Sequence, residues 1–498
     1  MSISNRILSL ILLIPLIWVS AGYGQSASDV LRYSLQYPSY DAASMVMPGV
    51  SNATGFGAYQ ENPASMALFE DGFISFSLNS RLINETTNYL GNSSEFNDNQ
   101  TTIGDLGFLY RVPTTRGSLV VGAGYSQSMD FNRAFSGGGR NSQSTITDFY
   151  NSPLSSDSLF FAAFDVYAID FATTDSSFSE TESIFRVGLS QYPGINQNFE
   201  VKERGILGDY SAFIATEFQE DLFIGVSLGY LSGSYSYRRS FLETDTQGDY
   251  NFAFIDSDGD GQGDTDIDNI LSKETIDAEL SGFTARAGLV YNASENVRIG
   301  VSYQYAGKLS IDEEYNTQLT STFDNGVEFF DEAPGSFSYK IKRPDRINLG
   351  ITLKGFQGFK ISAAAEGVRY STGRIEFSNI QDSGAENDIN DVVRSNLEDV
   401  VNLRGGIEYQ LNPLLTTRIG YAYFPSPQKN FDSSRQFFSG GFSAQLFDNV
   451  TFDLGVQYSI WEDSNQLYSY FEGNQLRSEA VIEDVTRWNV IGGIKIGF

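Results

Sequence analysis

Between residues 403 and 423 large apolar side chains fall on alternate positions: Leu403, Ile407 and Tyr409, then, after Asn412 and Pro413, Leu415, Ile419, Tyr421 and Tyr423. The positions between them are small or charged, among them Arg404, Gly406, Glu408, Arg418 and Gly420. Period two marks a strand with one apolar face, and two such runs about a short turn mark a hairpin. The same alternation recurs at 74–78, 106–110, 119–125, 210–214, 222–230, 283–291, 297–305, 347–353, 359–365, 438–446, 450–460 and 488–498. It is clearest where Leu222, Ile224, Val226, Leu228 and Tyr230 alternate with Phe223, Gly225, Ser227 and Gly229. The runs number about fourteen, and short turns trade with long polar excursions, the arrangement of bacterial outer-membrane barrels. The expected fold class is therefore all-β, a transmembrane antiparallel β-barrel over residues 73–498 with long extracellular loops. A soluble exported sandwich would also alternate, but its apolar positions would all be core.

Composition supports the membrane reading. The chain of 498 residues holds 39 Phe and 28 Tyr, which suit pleated surfaces and interfacial girdles, and 48 Gly, which recur on the face opposite the apolar one. Mean hydropathy is only -0.22, because lipid-facing and lumen-facing positions average out. Residues 1–24 read as a signal peptide for Sec export: Arg6, an apolar run over 7–19, then Ser20, Ala21, Gly22 and Gly24. There is no Cys, so neither disulfides nor a lipoprotein anchor hold the chain. The expected location is the outer membrane, among lipid and lipopolysaccharide. The closing residue Phe498, in phase with the outward face, resembles the signal read by the barrel-assembly machinery during insertion. A monomer is expected.

Charge and chemistry exclude more than they offer. A net charge of -30 argues against nucleic acid as a partner. With no His and no Cys, Ser-His-Asp hydrolysis, His-ligated zinc and thiol chemistry are absent. No glycine loop stands in a phosphate-binding context, so no enzyme, no catalytic residue and no required cofactor is expected. Two constellations remain. Inside the insertion at about 128–204, Phe160, Phe164, Tyr167 and Phe171 are spaced four, three and four apart, which puts them on one helical face. They read either as the lining of an apolar ligand site or as the core of an external domain. In the acidic loop at about 242–274, Asp256, Asp258, Asp260 and Gly261 match the first half of a calcium loop, with Asp264 at the ninth position. The twelfth position is Ile267 where a Glu is usual, leaving Asp266 or Asp268 to substitute. The loop reads as a candidate Ca2+ site that would order external chain, or as solvated acid.

Three stretches resemble the outer-membrane transport proteins of the OMPP1/FadL/TodX family, in a form like those of the Bacteroidetes. In ENPASMALFEDG, Asn62, Pro63 and Ala64 resemble the NPA signature of the family's N-terminal hatch. KRPDRINLGITLKG, with Pro344, Leu349 and Gly350, is similar to a proline-then-glycine strand, and IEYQLNPLLTTRIGYAYFPSP resembles a third family pattern. The resemblance implies a fourteen-stranded barrel plugged by residues 25–72, passing hydrophobic molecules such as long-chain fatty acids or aromatic hydrocarbons. It also implies a lateral exit at a kinked third strand, where Gly122 and Gly124 would permit the bend. The alternative is a barrel of this type serving as a structural or secretion-system partner.

Overall fold

Each period-two run becomes a strand that turns its apolar face outward. The computed structural model describes residues 27–37, 40–172, 180–189, 191–250, 263, 265–378 and 383–498; the signal-peptide reading and Asp256, Asp258, Asp260 and Asp264 lie outside them. Fourteen antiparallel strands close into a barrel. The first seven are β1 (Phe73–Tyr89), β2 (Asn92–Val112), β3 (Leu119–Asp130, continued as Arg133–Asn141), β4 (Ile195–Gln219), β5 (Leu222–Thr244), β6 (Ile267–Ser294) and β7 (Val297–Tyr305, then Lys308–Phe323). The rest are β8 (Glu328–Lys342, then Arg346–Phe356), β9 (Phe359–Arg369, then Arg374–Phe377), β10 (Asp399–Asn412), β11 (Leu415–Phe424), β12 (Arg435–Phe447), β13 (Val450–Glu472) and β14 (Gln475–Gly497). β14 pairs with β1 from Phe73↔Gly497 to Asn88↔Ile482, and Phe498 N donates to Gly72 O at 3.0 Å. Closure satisfies backbone groups that lipid cannot.

Leu228 is 71% and Phe283 70% exposed on the outer wall, which rules out the sandwich reading, in which such positions are core. On β1 the outward apolar residues run from Ile74 to Leu82, the length of strand that spans a bilayer. The strands go on well past this belt, so part of each expected external loop is ladder. The insertion expected at 128–204 shrinks to 142–194, and the acidic loop expected at 242–274 to 245–266. Above the lipid the outer face need not be apolar, so the period-two signal fades while pairing continues. Three external connections, at 90–91, 324–327 and 473–474, are tight turns and not long loops.

Two masses fill most of this wall, and the helix Ser383–Asn396 packs against the first through Ile389 and Val393. Residues 27–37 and 40–68 form the short helices α1 (Ala27–Arg32), α2 (Ala42–Val46) and α3 (Ala58–Glu61) and a 3-10 turn over Pro63–Leu68, all inside the barrel. The insertion supplies α4 (Ile146–Tyr150), α5 (Asp157–Asp165) and a small ribbon pairing Phe171 with Thr181. Its Ile146, Tyr150, Ala163 and Phe185 pack with Phe241, Phe323 and Tyr468 from strand tips around the barrel, capping the outer mouth.

Candidate functional site

The N-terminal segment sits where the inward glycines make room. A Cβ on Gly225 would stand 2.5 Å from Ala64 N, one on Gly350 2.7 Å from Val50 Cβ, and one on Gly455 2.6 Å from Ala42 O. Gly288, Gly300 and Gly406 face Asn62, Val50 and Met47 in the same way. The glycines read from sequence as lumen space or strand bends are thus contact points for the plug. Asn62 shows why that position takes an amide. Its Oδ1 accepts from Ala64 N at 3.0 Å, starting the 3-10 turn with Pro63 at its first position, while Nδ2 donates to Val50 O at 2.7 Å and Leu289 O at 3.1 Å. An acid offers no donor for the second task. Neighbouring Glu61 pairs with Arg404 of β10 at 2.5 Å and accepts from Gly49 N at 2.9 Å.

Above this polar girdle lies an apolar layer. Tyr33, just past α1, meets Phe131 at 5.4 Å and Tyr235 of β5 at 5.9 Å between ring centroids, and Phe131 meets Tyr235 at 5.7 Å. Val30, Leu207, Leu280 and Ile341 extend the layer across the barrel. Phe131 is also where β3 breaks. Its N–H donates to Gly205 O at 3.0 Å, and Gly205 holds φ +141, a conformation open to glycine. The bend is therefore at Phe131 and Asn132, not at Gly122 and Gly124, whose added side chains would instead strike Phe213 and Phe56.

Beside that bend the wall loses its backbone ladder. β2 and β3 pair only from Asp105↔Ser126 to Val112↔Leu119, while β2 goes on alone with β1 to Asn92. The β1–β2 register slips at Ser77/Leu78, just where the seam begins. Side chains close the gap. Thr102 Oγ1 and Arg81 Nη2 donate to Gln127 Oε1 at 2.8 and 2.9 Å, Arg81 pairs with Asp130, and Asn132 Nδ2 donates to Gln100 Oε1. Arg204 of β4 reaches across to Asp98 at 2.8 Å. The seam opens at the level of Leu78 and Ile103, the last exposed apolar residue of β2 on the way out. A cavity here, lined by Arg81, Asp98, Asp130 and Asn132, has a volume of ≈ 10 Å³; another beside the plug, lined by Tyr37, Glu61 and Arg404, has ≈ 20 Å³. Each is the size of about one water.

The expected helical stripe is cut short. α5 ends at Asp165, and Tyr167 takes φ +58, so only Phe160 and Phe164 lie on the helix. Phe171 is in the ribbon, 5.2 Å from Phe164, and Tyr167 packs 4.9 Å from Phe329. Phe160, Phe164 and Tyr167 are partly buried against the cap core. Asp266 and Asp268 flank the start of β6, and among the described residues no cluster of carboxylates is arranged to hold a metal. The cap carries a different acid. Glu243 lies well beyond Tyr230, the last exposed apolar residue of β5, and is wholly buried. It accepts from Ile146 N at 2.9 Å, Gln197 Nε2 at 2.7 Å and Thr145 Oγ1. Burial pushes its carboxyl up to about 7 against the pull of these donors. Sequence reasoning missed Tyr33, Phe131, Tyr235 and Glu243, which carry no periodic signal.

A barrel closed in lipid, holding its own N-terminal segment and parted between β2 and β3, is the fold of an outer-membrane transport protein rather than an enzyme. The family model for outer membrane transport proteins (OMPP1/FadL/TodX) matches residues 221–480, more than half the chain, and the chain belongs to that family. In structure it is similar to the Pseudomonas putida toluene transporter TodX, at 15% identity and a TM-score of 0.53 over 93% of this chain and 99% of that one. A TodX monoaromatic hydrocarbon channel deltaS2 mutant gives 14% identity and 0.52 over 93% and 99%. The Ralstonia pickettii toluene transporter TbuX gives 17% and 0.49 over 93% and 99%. At these identities the likeness is one of fold. No curated protein matches the chain in sequence.

Proposed function

We propose that the protein takes up hydrophobic compounds, monoaromatic hydrocarbons or long-chain fatty acids, by passive diffusion through the apolar layer and out through the β2–β3 seam. The observation that carries this reading is the place of Phe131, which lines the layer with Tyr33 and Tyr235 and sits at the bend of β3 just beyond the last β2–β3 ladder pair, Asp105↔Ser126. The solute takes the place of Tyr33 when α1 shifts, while Asn62, Pro63 and Ala64 hold the rest of the hatch to the wall. Phe160, Phe164, Tyr167 and Phe171 are the first apolar surface met from outside. TodX, similar in fold, is a toluene transporter. Ca2+ at the acidic loop would fix the cap, with no part in conduction.

A second reading, a structural or secretion partner, is favoured by the water-sized cavities and by Phe161 and Phe330, 63% and 59% exposed on the external surface. Uptake of labelled toluene and oleate by proteoliposomes separates the two. Transport predicts uptake that stops when Thr102→Cys and Gln127→Cys are bridged by a short bis-maleimide and resumes when a cleavable linker is cut. No uptake of either solute, with a polypeptide retained through detergent purification and seen by native mass spectrometry, sinks the transport reading.

A further inference from the structure

Basic side chains are scarce, 32 Lys and Arg against 62 Asp and Glu. Yet three stand abreast on the outer wall. The register places Lys308 of β7 opposite Lys342 of β8, and Lys342 opposite Arg374 of β9. All three point outward, because their chain neighbours Leu309, Ile341 and Ile375 are buried within the barrel. Lys340 stands in the next row, opposite Ser310 and Glu376. Like charges directly opposed across a sheet repel. One carboxylate, Glu376, answers Lys308 at 2.6 Å, and Arg374 turns two bonds to the carbonyls of Ser371 and Gly373. Neither Lys340 nor Lys342 has an ion-pair partner among the described residues. The other acids close by are occupied: Asp345 accepts from Tyr303 Oη at 2.6 Å, and Asp399 from Ser371 Oγ at 2.7 Å.

The height of this row decides what it meets. Just below it the outward residues are Tyr303, Tyr305 and Ile347, 45%, 50% and 54% exposed to lipid, and between lies only the break at Ala306, Gly307 and Arg343–Asp345 of the two strands. Cations at the edge of the apolar belt stand where the charged head groups of the outer leaflet begin. Basic clusters at that boundary draw anionic lipid. We infer that Lys308, Lys340, Lys342 and Arg374 bind the phosphorylated head group of an outer-leaflet glycolipid, whose acyl chains lie along Tyr303, Tyr305 and Ile347. The site rests on the barrel's place in the membrane and is independent of what the lumen conducts.

The test uses the full-length mature protein in phosphatidylcholine vesicles, without addition or with bisphosphorylated lipid A or its dephosphorylated form. Retained glycolipid is read by native mass spectrometry and stability by the thermal midpoint. The wild type retains phosphorylated lipid A and gains several degrees. Lys308→Gln, Lys342→Gln and Arg374→Gln together cut retention about tenfold, while Arg238→Gln, Lys273→Gln and Arg477→Gln on the external strand tips leave it unchanged. Gel mobility with and without heating shows that both triple variants are folded barrels. Equal retention by the two triple variants overturns the site. So does an equal gain from dephosphorylated lipid A. Displacement of the lipid by inorganic phosphate reassigns the row to a soluble anion and also overturns it.

Discussion

From Phe73↔Gly497 to Asn88↔Ile482 the two ends of the chain run side by side as a continuous backbone ladder. Beyond β2, the wall is held quite differently: the ladder to β3 stops at Asp105↔Ser126, and above it the strands meet through Thr102, Gln127, Arg81, Asp130, Asn132 and Gln100. The difference is one of replaceability. A backbone group freed in lipid has no other partner, so opening β14 from β1 costs several kcal/mol for each bond lost. Side chains at the rim of the belt can exchange their partners for water, and each such bond is worth only about 1 kcal/mol net. Parting β2 from β3 therefore costs less than parting β14 from β1.

The largest effect should come from the aromatic cluster that bends β3. Phe131→Ala leaves a hole between Tyr33 and Tyr235 and should lower stability by about 3–5 kcal/mol. Urea unfolding of the refolded barrel measures this, and maleimide labelling of Gln127→Cys should quicken, since the bend loses its filler. Unchanged labelling would separate the aromatic layer from the seam. Next comes Leu454→Arg on β13, in the laddered part of the wall, with Leu454 on the lipid face. It should cost about 2–4 kcal/mol near the bilayer midplane, with uptake per folded molecule unaltered. Tolerance of that arginine would mean the outward phase of β13 is wrong.

The cap tests the same contrast by pH. Glu243 is held neutral well above the ordinary carboxylate range, so the native state binds its proton more tightly than the unfolded chain does. The stability it contributes is full below about pH 4.5 and lost as pH rises through about 7. Protection of the amides at residues 146–150, taken relative to their intrinsic exchange rates, should therefore fall between pH 5 and pH 8 by the equivalent of about 2–3 kcal/mol, and Glu243→Gln should flatten the fall. A slope of the same size in the variant would mean that Glu243 does not carry the proton.

What could be read from sequence follows the same division. All fourteen strands were legible because lipid imposes one face on each, and Leu222 to Tyr230 has no freedom to do otherwise. Strand ends were not, since the face of β4 above the belt meets water and any polar residue serves. Gly225, Gly288 and Gly455 were visible on the inward phase, but a small residue looks the same whether it faces water or a plug. Asn62 was found only through its tripeptide, and its two-sided bonding needs the wall in place. Phe131, Tyr33 and Tyr235 come from separate parts of the chain and meet only when the barrel closes. The stripe from Phe160 failed for a local reason: spacing allows a helix through Phe171, but the chain leaves α5 at Val166 and Tyr167 turns left-handed.

The smallest predicted effect is the most direct. Thr102→Val keeps the shape of the side chain and removes its bond to Gln127 and the long one it accepts from Arg81 Nη1 at 3.4 Å, so stability should fall by about 1 kcal/mol, within the reach of urea titration. Arg81 still holds Gln127 Oε1, which keeps that acceptor satisfied and limits the loss. If solute leaves by the seam, this weakening should raise the rate of toluene uptake severalfold, since each 1.4 kcal/mol off an opening step is a tenfold gain. A comparable loss on the laddered side, Ser443→Ala, which removes the bond Ser443 donates to Asp453 and the one it accepts from Arg418 Nη1 at 2.6 Å, should cost at least as much stability and leave uptake alone. Equal gains from both would trace the effect to general loosening of the barrel, and equal silence would place the exit elsewhere than between β2 and β3.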